Sequence, residues 1–363
     1  MSAEDLTPRE RLPKQIVASG PISVAHFMGE ANAHYYATRD PLGMAGDFTT
    51  APEISQMFGE LIGLCLADMW MRTGEHLRAG EGRPPLYVEL GPGRGTLAAD
   101  ALRAMASVGL TPRTHFVETS PVLRGRQQAA VPTAQFHDSV ESLPDARMGG
   151  GPLLVVANEF FDALPIEQMV RTAEGWRERR VGVLDDGFAP FTSDRAMDGA
   201  VPEVIRDAPV GSLYERSPAS ATVAMMLASR IRQQGGAAIV IDYGFEGPAV
   251  GETLQAVRAH ERADPFADPG EIDLTAHVDF TMIGNAARQM GLKVVGPVGQ
   301  GDFLTGLGIE ARAASLVRSA PARAAEVEAA RVRLTAPEQM GVLFKAMALV
   351  HPDWPAPEGF GGV

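Results

Sequence analysis

Hydrophobic residues between positions 86 and 105 follow two patterns in succession, first that of a strand and then that of a helix. Those with strand alternation are Leu86, Val88 and Leu90, and those with helical spacing are Leu97, Ala101, Leu102 and Met105. Gly91, Gly93 and Gly95 separate the two patterns, and glycine leaves the backbone of a turn open to a ligand. The sequence therefore predicts a strand, a ligand-binding turn and a helix here.

Further short apolar runs predict more strands of the same sheet. They span 114–118, 134–137, 152–157, 237–243, 292–298 and 342–350, of which the last two should form an antiparallel pair. Acids lie at the ends of three of these runs, at Glu118, Asp138 and Asp242. In a doubly wound sheet, ligands bind outside the carboxyl ends of the strands. We therefore predict an α/β fold with a doubly wound, seven-stranded sheet and a site at that edge.

The rest of the chain should surround this sheet. Residues 1–80 have a helical pattern interrupted by a polar and aromatic loop at 43–50, and we expect them to form an N-terminal helical cap that contributes to the site. We assign 81–245 to the core and 246–340 to lid or substrate-binding insertions interrupted by a late strand. The last core strand and tail occupy 341–363. Residues 166–170 and 177–184 should form a hairpin.

The spacing of the glycines narrows the choice of ligand. A dinucleotide-binding turn has glycines at its first, third and sixth positions, but the sixth position here is Thr96. Glu89 and the alternate glycines instead resemble motif I of the class I S-adenosylmethionine (SAM) methyltransferases. SAM has no phosphate, so its site does not need a phosphate-binding turn. It needs open backbone against which the adenosine and methionine can lie, and a nearby carboxylate can face the ammonium group. A nicotinamide cofactor and an ordinary glycine-rich turn are the alternatives.

Composition sets the broad class of protein. The chain has 363 residues with 45% hydrophobic and 21% charged residues, which is typical of a globular protein. Its formal net charge of -13 disfavours nucleic acid as a partner. The single cysteine, Cys65, and the scattered histidines predict no structural metal. We expect no membrane insertion and, from the acidic N-terminus and the lack of a signal pattern, a cytoplasmic protein. The abundance of Ala, Gly and Pro, with lysine only at Lys14, Lys293 and Lys345, is typical of a bacterial sequence with a high-GC coding bias.

Four segments, spread over most of the chain, contain distinctive motifs. They span 46–60, 89–96, 158–165 and 273–280, and they read Gly-Asp-Phe-Thr-Thr-Ala-Pro-Glu-Ile-Ser-Gln-Met-Phe-Gly-Glu, Glu-Leu-Gly-Pro-Gly-Arg-Gly-Thr, Asn-Glu-Phe-Phe-Asp-Ala-Leu-Pro and Asp-Leu-Thr-Ala-His-Val-Asp-Phe. Together they resemble the MidA family, which contains the mitochondrial complex I assembly-factor methyltransferase and its bacterial relatives. The resemblance implies a class I SAM-dependent methyltransferase fold with SAM as cofactor. For the mitochondrial member it implies symmetric dimethylation of an arginine in the 49-kDa subunit of complex I. A protein substrate, possibly such a subunit, is therefore expected.

The candidate residues fall into three groups. The predicted cofactor-binding residues are Glu89, Gly91, Gly93, Gly95, Thr96, Glu118, Asp138 and Asn158. The predicted substrate-binding residues are Asp47, Phe48, Thr49, Glu53, Asp273 and Asp279. For catalysis, we expect Glu159 and Asp162 to grip a guanidinium group, because paired carboxylates bind arginine bidentately, and His277 to orient the substrate or relay a proton. Aromatic residues that could wall the pocket are Tyr35, Phe48, Phe160 and Phe161.

Three other functions remain open at this point. An NAD(P)-dependent oxidoreductase shares a glycine-rich turn with an acid downstream. A methyltransferase-like assembly factor or chaperone would bind a partner with little turnover. Nucleic-acid methylation is suggested by Asn158, but Glu159-Phe160-Phe161 replaces the Pro-Pro-Tyr that follows such an asparagine in amino methylases. The acceptor, the number of methyl groups and the oligomeric state are not defined by the sequence.

Overall fold

The computed structural model describes residues 6–39, 50–74, 83–185, 187–258 and 261–361. The first elements are α1 (Pro8–Ser19), β1 (Ile22–Ser23), α2 (Val24–Thr38), α3 (Ala51–Ile54) and α4 (Gln56–Arg72). The helix predicted to begin at Ala51 is divided because Ser55 is extended, with φ of -162°, and its side chain accepts the amide of Met57 to begin α4.

Strands and helices then alternate as the hydrophobic pattern predicts. The elements in this part are β2 (Leu86–Leu90), α5 (Thr96–Ser107), β3 (Arg113–Val117), α6 (Pro121–Ala130), β4 (Gln135–His137) and β5 (Leu153–Asn158). They are followed by β6 (Glu167–Thr172), β7 (Gly175–Leu184), β8 (Gly187–Ala196), β9 (Leu213–Arg216), α7 (Pro218–Gln234) and β10 (Gly236–Phe245). The predicted hairpin is confirmed, because β6 and β7 pair antiparallel.

The remaining elements complete the central sheet and cover it. They are β11 (Gln255–Arg258), β12 (Glu261–Ala263), β13 (Asp273–Thr275), β14 (Val278–Asp279), α8 (Phe280–Gln289), β15 (Lys293–Gly299), α9 (Gln300–Gly306), α10 (Ile309–Ser319), α11 (Ala324–Thr335) and β16 (Phe344–Val350). The strands β11 and β12 lie in a polar stretch in which the sequence showed only an irregular excursion.

Within the described residues, no helix is long and apolar enough to cross a membrane.

The central sheet has the strand order β15-β16-β10-β5-β2-β3-β4. Strands β10, β5, β2, β3 and β4 are parallel, whereas β16 runs antiparallel to both β10 and β15. The prediction of an α/β fold with a mostly parallel sheet is confirmed, and so is the antiparallel pair of final strands. The described residues give this sheet eight strands instead of seven, because the two-residue strand β14 pairs with the end of β10.

Both faces of the sheet are buried, which is why β2 and β5 contain buried residues at every position. Helices α4 and α5 pack on one face in very close contact. A Cβ atom added to Gly63 would lie 2.6 Å from the carbonyl oxygen of Ala101. Helices α7 and α8 cover the other face.

Two smaller sheets form a lobe beside the central sheet. One has the order β1-β7-β6-β9 with β8 on β7, and the other has the order β12-β11-β13. Helices α1 and α2 pack against this lobe through Leu12 and Phe27, which share a core with Ile166 and Leu274. The segment 1–80 therefore contributes to two cores, since α4 belongs to the central one.

Candidate cofactor and acceptor site

A cavity of about 670 Å³ lies at the carboxyl ends of the parallel strands, where the strand-end acids predicted a site. Predicted site residues that line it are Glu53, Glu89, Gly91, Gly93, Thr96, Glu118, Asp138, Asn158, Glu159, Asp162 and Asp273. The structure thus brings together acids that are far apart in the sequence. Asp47, Phe48 and Thr49 lie outside the described residues.

The turn after β2 has left-handed backbone at each of its three glycines. The φ angles are 59° at Gly91, 54° at Gly93 and 83° at Gly95, values that residues with a Cβ atom adopt at a cost. Gly91 and Gly93 line the cavity, and a Cβ atom on Gly91 would lie 3.0 Å from Cδ2 of Phe160. Gly95 faces α6 instead, where its Cβ atom would lie 3.2 Å from that of Ala130. The turn therefore presents two bare peptide units to a ligand.

Glu89 is a buried carboxyl group on the cavity wall. It accepts a hydrogen bond of 2.8 Å from the hydroxyl of Tyr87, and burial raises its pKa to about 8. A cation bound beside it would favour the ionised form. The side chain thus suits the ammonium group of an amino-acid moiety.

Glu118 follows β3 and is held by two donors. The amide of Ser120 donates to Oε1 at 2.8 Å, and Nε2 of Gln127 donates to Oε2 at 3.0 Å. Nε2 of Gln127 also lies 2.8 Å from the carbonyl oxygen of Gly93, so it links this acid to the glycine turn. A carboxylate has about four acceptor sites, so Glu118 retains capacity for the two hydroxyls of a ribose.

Asp138 lies at the rim of the cavity. Its side chain is 84% exposed and pairs with Arg124 at 2.6 Å. Arg124 also donates through Nε to the carbonyl oxygen of Glu118 at 2.7 Å. The ends of β3 and β4 are therefore joined at the position expected for the adenine.

Glu159 lies on the turn after β5 and has a φ of 49°, which is rare for a residue other than glycine. Its Oε1 accepts the amide of Ala51 and Nδ2 of Asn158, each at 3.2 Å. Burial, and secondarily the charge of Asp162, raise the pKa of this carboxyl to about 7. Near neutral pH, Glu159 is therefore available both as an anionic ligand and as a proton acceptor.

Asp162 lies three residues further along the same turn and is buried. Its Oδ2 accepts the hydroxyl of Tyr243 at 2.6 Å, while its Oδ1 has no hydrogen-bond partner within the described part of the chain. Burial raises the pKa of Asp162 to about 6. An unpartnered buried acceptor on a cavity wall indicates a missing donor.

The remaining predicted contacts divide between the two ends of the cavity. Glu53 accepts the hydroxyl of Thr96 at 2.6 Å and so belongs to the cofactor turn. Asp273 accepts the hydroxyl of Tyr36 at 2.8 Å on the opposite wall, where α2 meets β13. Tyr36 and Phe160 line the cavity, whereas Tyr35 and Phe161 are buried in the core.

His277 and Asp279 do not line this cavity; they border a separate pocket of about 20 Å³. The ring of His277 packs edge-on against Tyr243, with 5.5 Å between centroids. Asp279 caps α8 by accepting the amide of Met282 at 3.1 Å. The structure thus gives both residues local packing or capping contacts.

Within the described residues, no group of three or more His, Cys, Asp or Glu side chains is arranged to hold a metal ion.

Sequence reasoning missed several residues of the cavity wall. Tyr36 and Tyr243 each donate a hydrogen bond to an aspartate in the cavity, and Asn32 joins α2 to the carbonyl oxygens of Ala163 and Leu274. Tyr243 directly follows an acid at the end of a parallel strand. The expectation that ligands bind at the carboxyl ends of these strands could therefore also have indicated Tyr243. Nothing in the local pattern of α2 indicates the direction of Asn32 or Tyr36.

Comparison with known proteins identifies the fold and its cofactor. Residues 61–298 match the family model of S-adenosyl-L-methionine-dependent methyltransferases. A Burkholderia thailandensis structure bound to S-adenosyl-homocysteine superposes with a TM-score of 0.85 at 27% identity, covering 99% of this chain and 95% of that one. The fold and the cavity therefore define a SAM-dependent methyltransferase, which overturns the oxidoreductase alternative.

The most similar curated relatives include the mitochondrial protein arginine methyltransferase NDUFAF7 and its homologues. The Drosophila melanogaster homologue is 34% identical over 94% of this chain and 84% of its own length. The Homo sapiens protein is 32% identical over 95% of this chain and 84% of its own length. The chain belongs to this family, the MidA family that the four sequence segments predicted.

Proposed function

We propose that the protein transfers a methyl group from SAM to the guanidinium group of an arginine in a protein substrate. The observation that carries the proposal is the pair Glu159 and Asp162, two carboxyl groups on one turn that both line the cofactor cavity. Burial raises their pKa values to about 7 and about 6, and a cation bound beside them would favour the ionised forms. The names of the curated relatives support the same acceptor chemistry.

A guanidinium group matches these two acids in charge and in hydrogen bonding. It is planar, always protonated and carries five N–H donors. Among the described residues, Oδ1 of Asp162 has no partner, and the amide of Ala51 and Nδ2 of Asn158 both donate to Oε1 of Glu159. Two carboxylates that bind a guanidinium can direct its remaining nitrogen towards the cofactor and oppose charge delocalisation.

The residues at the cofactor end of the cavity support a SAM-binding site. We propose that the bare peptides at Gly91 and Gly93 lie against the ligand, that Glu89 faces its ammonium group and that Glu118 binds the ribose hydroxyls. Asp138 is proposed to meet the adenine amino group, and Asn158 lies between the two halves of the site. SAM supplies the electrophilic methyl group. Glu159, with its raised pKa, would accept the proton that the guanidinium releases.

The family resemblance extends the proposal to a substrate and a product. We propose an arginine of a 49-kDa-type subunit of respiratory complex I as acceptor, with symmetric dimethylation as product. The walls beyond the acid pair are formed by Tyr36, Tyr243 and Thr275, together with Gln255 and Val257 of β11. These residues would enclose the acceptor side chain.

The experiment uses isotopically labelled SAM with the full chain and a lysate or purified complex I subunit from its host. Wild-type protein should label an arginine, identified by mass spectrometry of the labelled band. The Glu159→Gln variant should lose at least about 100-fold in kcat. Glu178→Gln is the matched control, because Glu178 is a buried acid that pairs with Arg195 in the side lobe, outside the cavity.

Labelling of lysine, of nucleic acid or of a small molecule would contradict the arginine proposal. Unchanged turnover by Glu159→Gln would remove that residue from the acceptor site. Specific binding of a partner by wild-type protein, with no labelled product, would favour the alternative of an assembly factor with little turnover.

A further inference from the structure

Asp242 is a fully buried acid next to the cavity that the function described above does not use. It lies on β10, and its Oδ2 accepts the amides of three successive residues. The distances are 3.2 Å from Phe160, 3.0 Å from Phe161 and 3.3 Å from Asp162. Its Oδ1 accepts the amide of Tyr243 at 3.0 Å. Asp242 itself does not line the cavity.

Four backbone amides of the described residues converge on the carboxyl group of Asp242. These N–H donors favour its ionised form, but burial, and after it the charges of Asp162 and Glu159, raise the pKa of Asp242 well above its ordinary value. Successive amides that converge on one oxygen form an anion-binding concavity, which is usually filled by a ligand. Here the acceptor is a side chain of the protein, so the concavity serves the fold of the turn.

This turn carries the two acids proposed to bind the acceptor. Glu159 adopts left-handed backbone with φ of 49°, a strained conformation that persists only where the surroundings fix it. One restraint is the hydrogen bond of 2.9 Å from the amide of Glu159 to the carbonyl oxygen of Ile241. The others are the three amides that Asp242 binds. The end of β10 therefore fixes the turn at every residue from 159 to 162.

We propose that Asp242 is a positioning residue for the methyl acceptor. It holds the 159–162 turn so that the carboxyl groups of Glu159 and Asp162 face the cavity beside the cofactor. Asp242 touches neither ligand and acts through the backbone of its neighbours. The assignment of the ligand as arginine rests on the proposed function, whereas the geometry of the turn does not.

Two substitutions separate this role from general stability. Asp242→Asn keeps one acceptor oxygen for the three amides, whereas Asp242→Ala leaves all four amides without a partner. Glu60→Gln is the control, because Glu60 is also a buried carboxylate but pairs with Arg103 and Arg312 away from the cavity. Each full-length variant is assayed for S-adenosylhomocysteine affinity by calorimetry and for kcat and KM with an arginine substrate.

We expect both Asp242 variants to bind S-adenosylhomocysteine within about twofold of wild type. Asp242→Ala should lose about 100-fold in kcat/KM for the acceptor, and Asp242→Asn about tenfold, because a displacement of ~1 Å in reacting groups has effects of this size. Glu60→Gln should retain both values in the folded fraction. The inference would be overturned if kcat/KM for the acceptor in Asp242→Ala stays within twofold of wild type. If the alanine variant does not fold, the same criterion applies to Asp242→Asn. Equal losses of cofactor affinity and turnover would also overturn it.

A crystal structure of Asp242→Asn with S-adenosylhomocysteine, and of Asp242→Ala where it folds, tests the positioning without any acceptor. We expect the turn to leave its left-handed conformation in the alanine variant and to retain it in the asparagine variant. An unchanged turn in Asp242→Ala would contradict the inference even if arginine is the acceptor. If the wild-type protein methylates no arginine, the proposed function is contradicted. The crystal structures of the variants then decide by themselves whether Asp242 positions the turn.

Discussion

The hydroxyl of Tyr243 lies 2.6 Å from Oδ2 of Asp162 and donates a hydrogen bond to it across the wall of the cavity. Tyr243 lies on β10 and Asp162 on the turn that follows the adjacent parallel strand β5, so the pairing of the two strands brings positions 162 and 243 together at one edge of the sheet. This bond leaves Oδ1 of Asp162 without a partner among the described residues. A ligand with N–H donors can therefore complete the hydrogen bonding of the site.

Tyr243→Phe removes this hydrogen bond and keeps the ring, which packs at 5.4 Å from Phe344. We expect kcat/KM for the acceptor to fall about tenfold, because Asp162 loses the donor that orients it. S-adenosylhomocysteine affinity should stay within about twofold of wild type. Steady-state kinetics and calorimetry check both values, and an unchanged kcat/KM would show that the hydroxyl does not orient Asp162.

Glu159→Gln should stabilise the ligand-free protein at alkaline pH. Burial raises the pKa of Glu159 to about 7 from an unperturbed value near 4.5, so the folded state binds more protons than the unfolded state between these values. Stability of the wild type should therefore fall as the pH rises through that window. At pH 8 the variant should gain on the order of 2–3 kcal/mol in free energy of unfolding.

Denaturant unfolding at pH 5 and pH 8 measures this difference. At pH 5 the neutral glutamine and the protonated glutamic acid are nearly equivalent, so the two proteins should unfold alike. A gain of the same size at both pH values would show that ionisation of Glu159 is not its cause.

Gly93→Val should abolish cofactor binding by placing a branched side chain on the cavity wall. The substitution also carries a backbone cost, because φ at this position is 54°. Gly109→Val is the matched control, since Gly109 has φ of 84°, lies outside the cavity, and has no atom of the described residues within 4 Å of an added Cβ. Calorimetry should show at least a 100-fold loss of S-adenosylhomocysteine affinity in the first variant and none in the second.

Gly63→Ala should destabilise the protein through the contact between α4 and α5. The added Cβ would lie 2.6 Å from the carbonyl oxygen of Ala101, so the helices must separate, at a cost of about 1–3 kcal/mol. In Gly125→Ala on α6, the added Cβ meets no atom of the described chain segments within 4 Å, so this substitution should instead stabilise the protein by about 0.5–1 kcal/mol. Thermal unfolding of the two variants distinguishes close packing from a general effect of helix propensity.

The hydrophobic pattern predicted most of the central sheet because its strands are short, apolar runs that end in acids. Strands β2 and β5 are buried on both faces, so their runs are nearly continuous, and Glu89, Glu118 and Asp162 follow from their position at strand ends. The strand β14 was missed because two residues carry no periodicity. Strands β11 and β12 were missed because they lie in a polar stretch.

The acceptor side of the cavity could be predicted only in part, because its walls come from distant parts of the chain. Tyr36 meets Asp273 across 237 positions, and no local pattern encodes such a pairing. His277 and Asp279 belong to a motif of the family, yet their side chains border a different pocket. A motif defines which residues are near a site, and only the packing determines which of them face it.

The most direct measurement is a crystal structure of the protein with S-adenosylhomocysteine and an arginine-containing peptide. We predict the amino-acid end of the cofactor product against Gly91 and Gly93, its ribose on Glu118, and the guanidinium between Glu159 and Asp162. A guanidinium bound elsewhere, or a cofactor product absent from the turn after β2, would contradict the account.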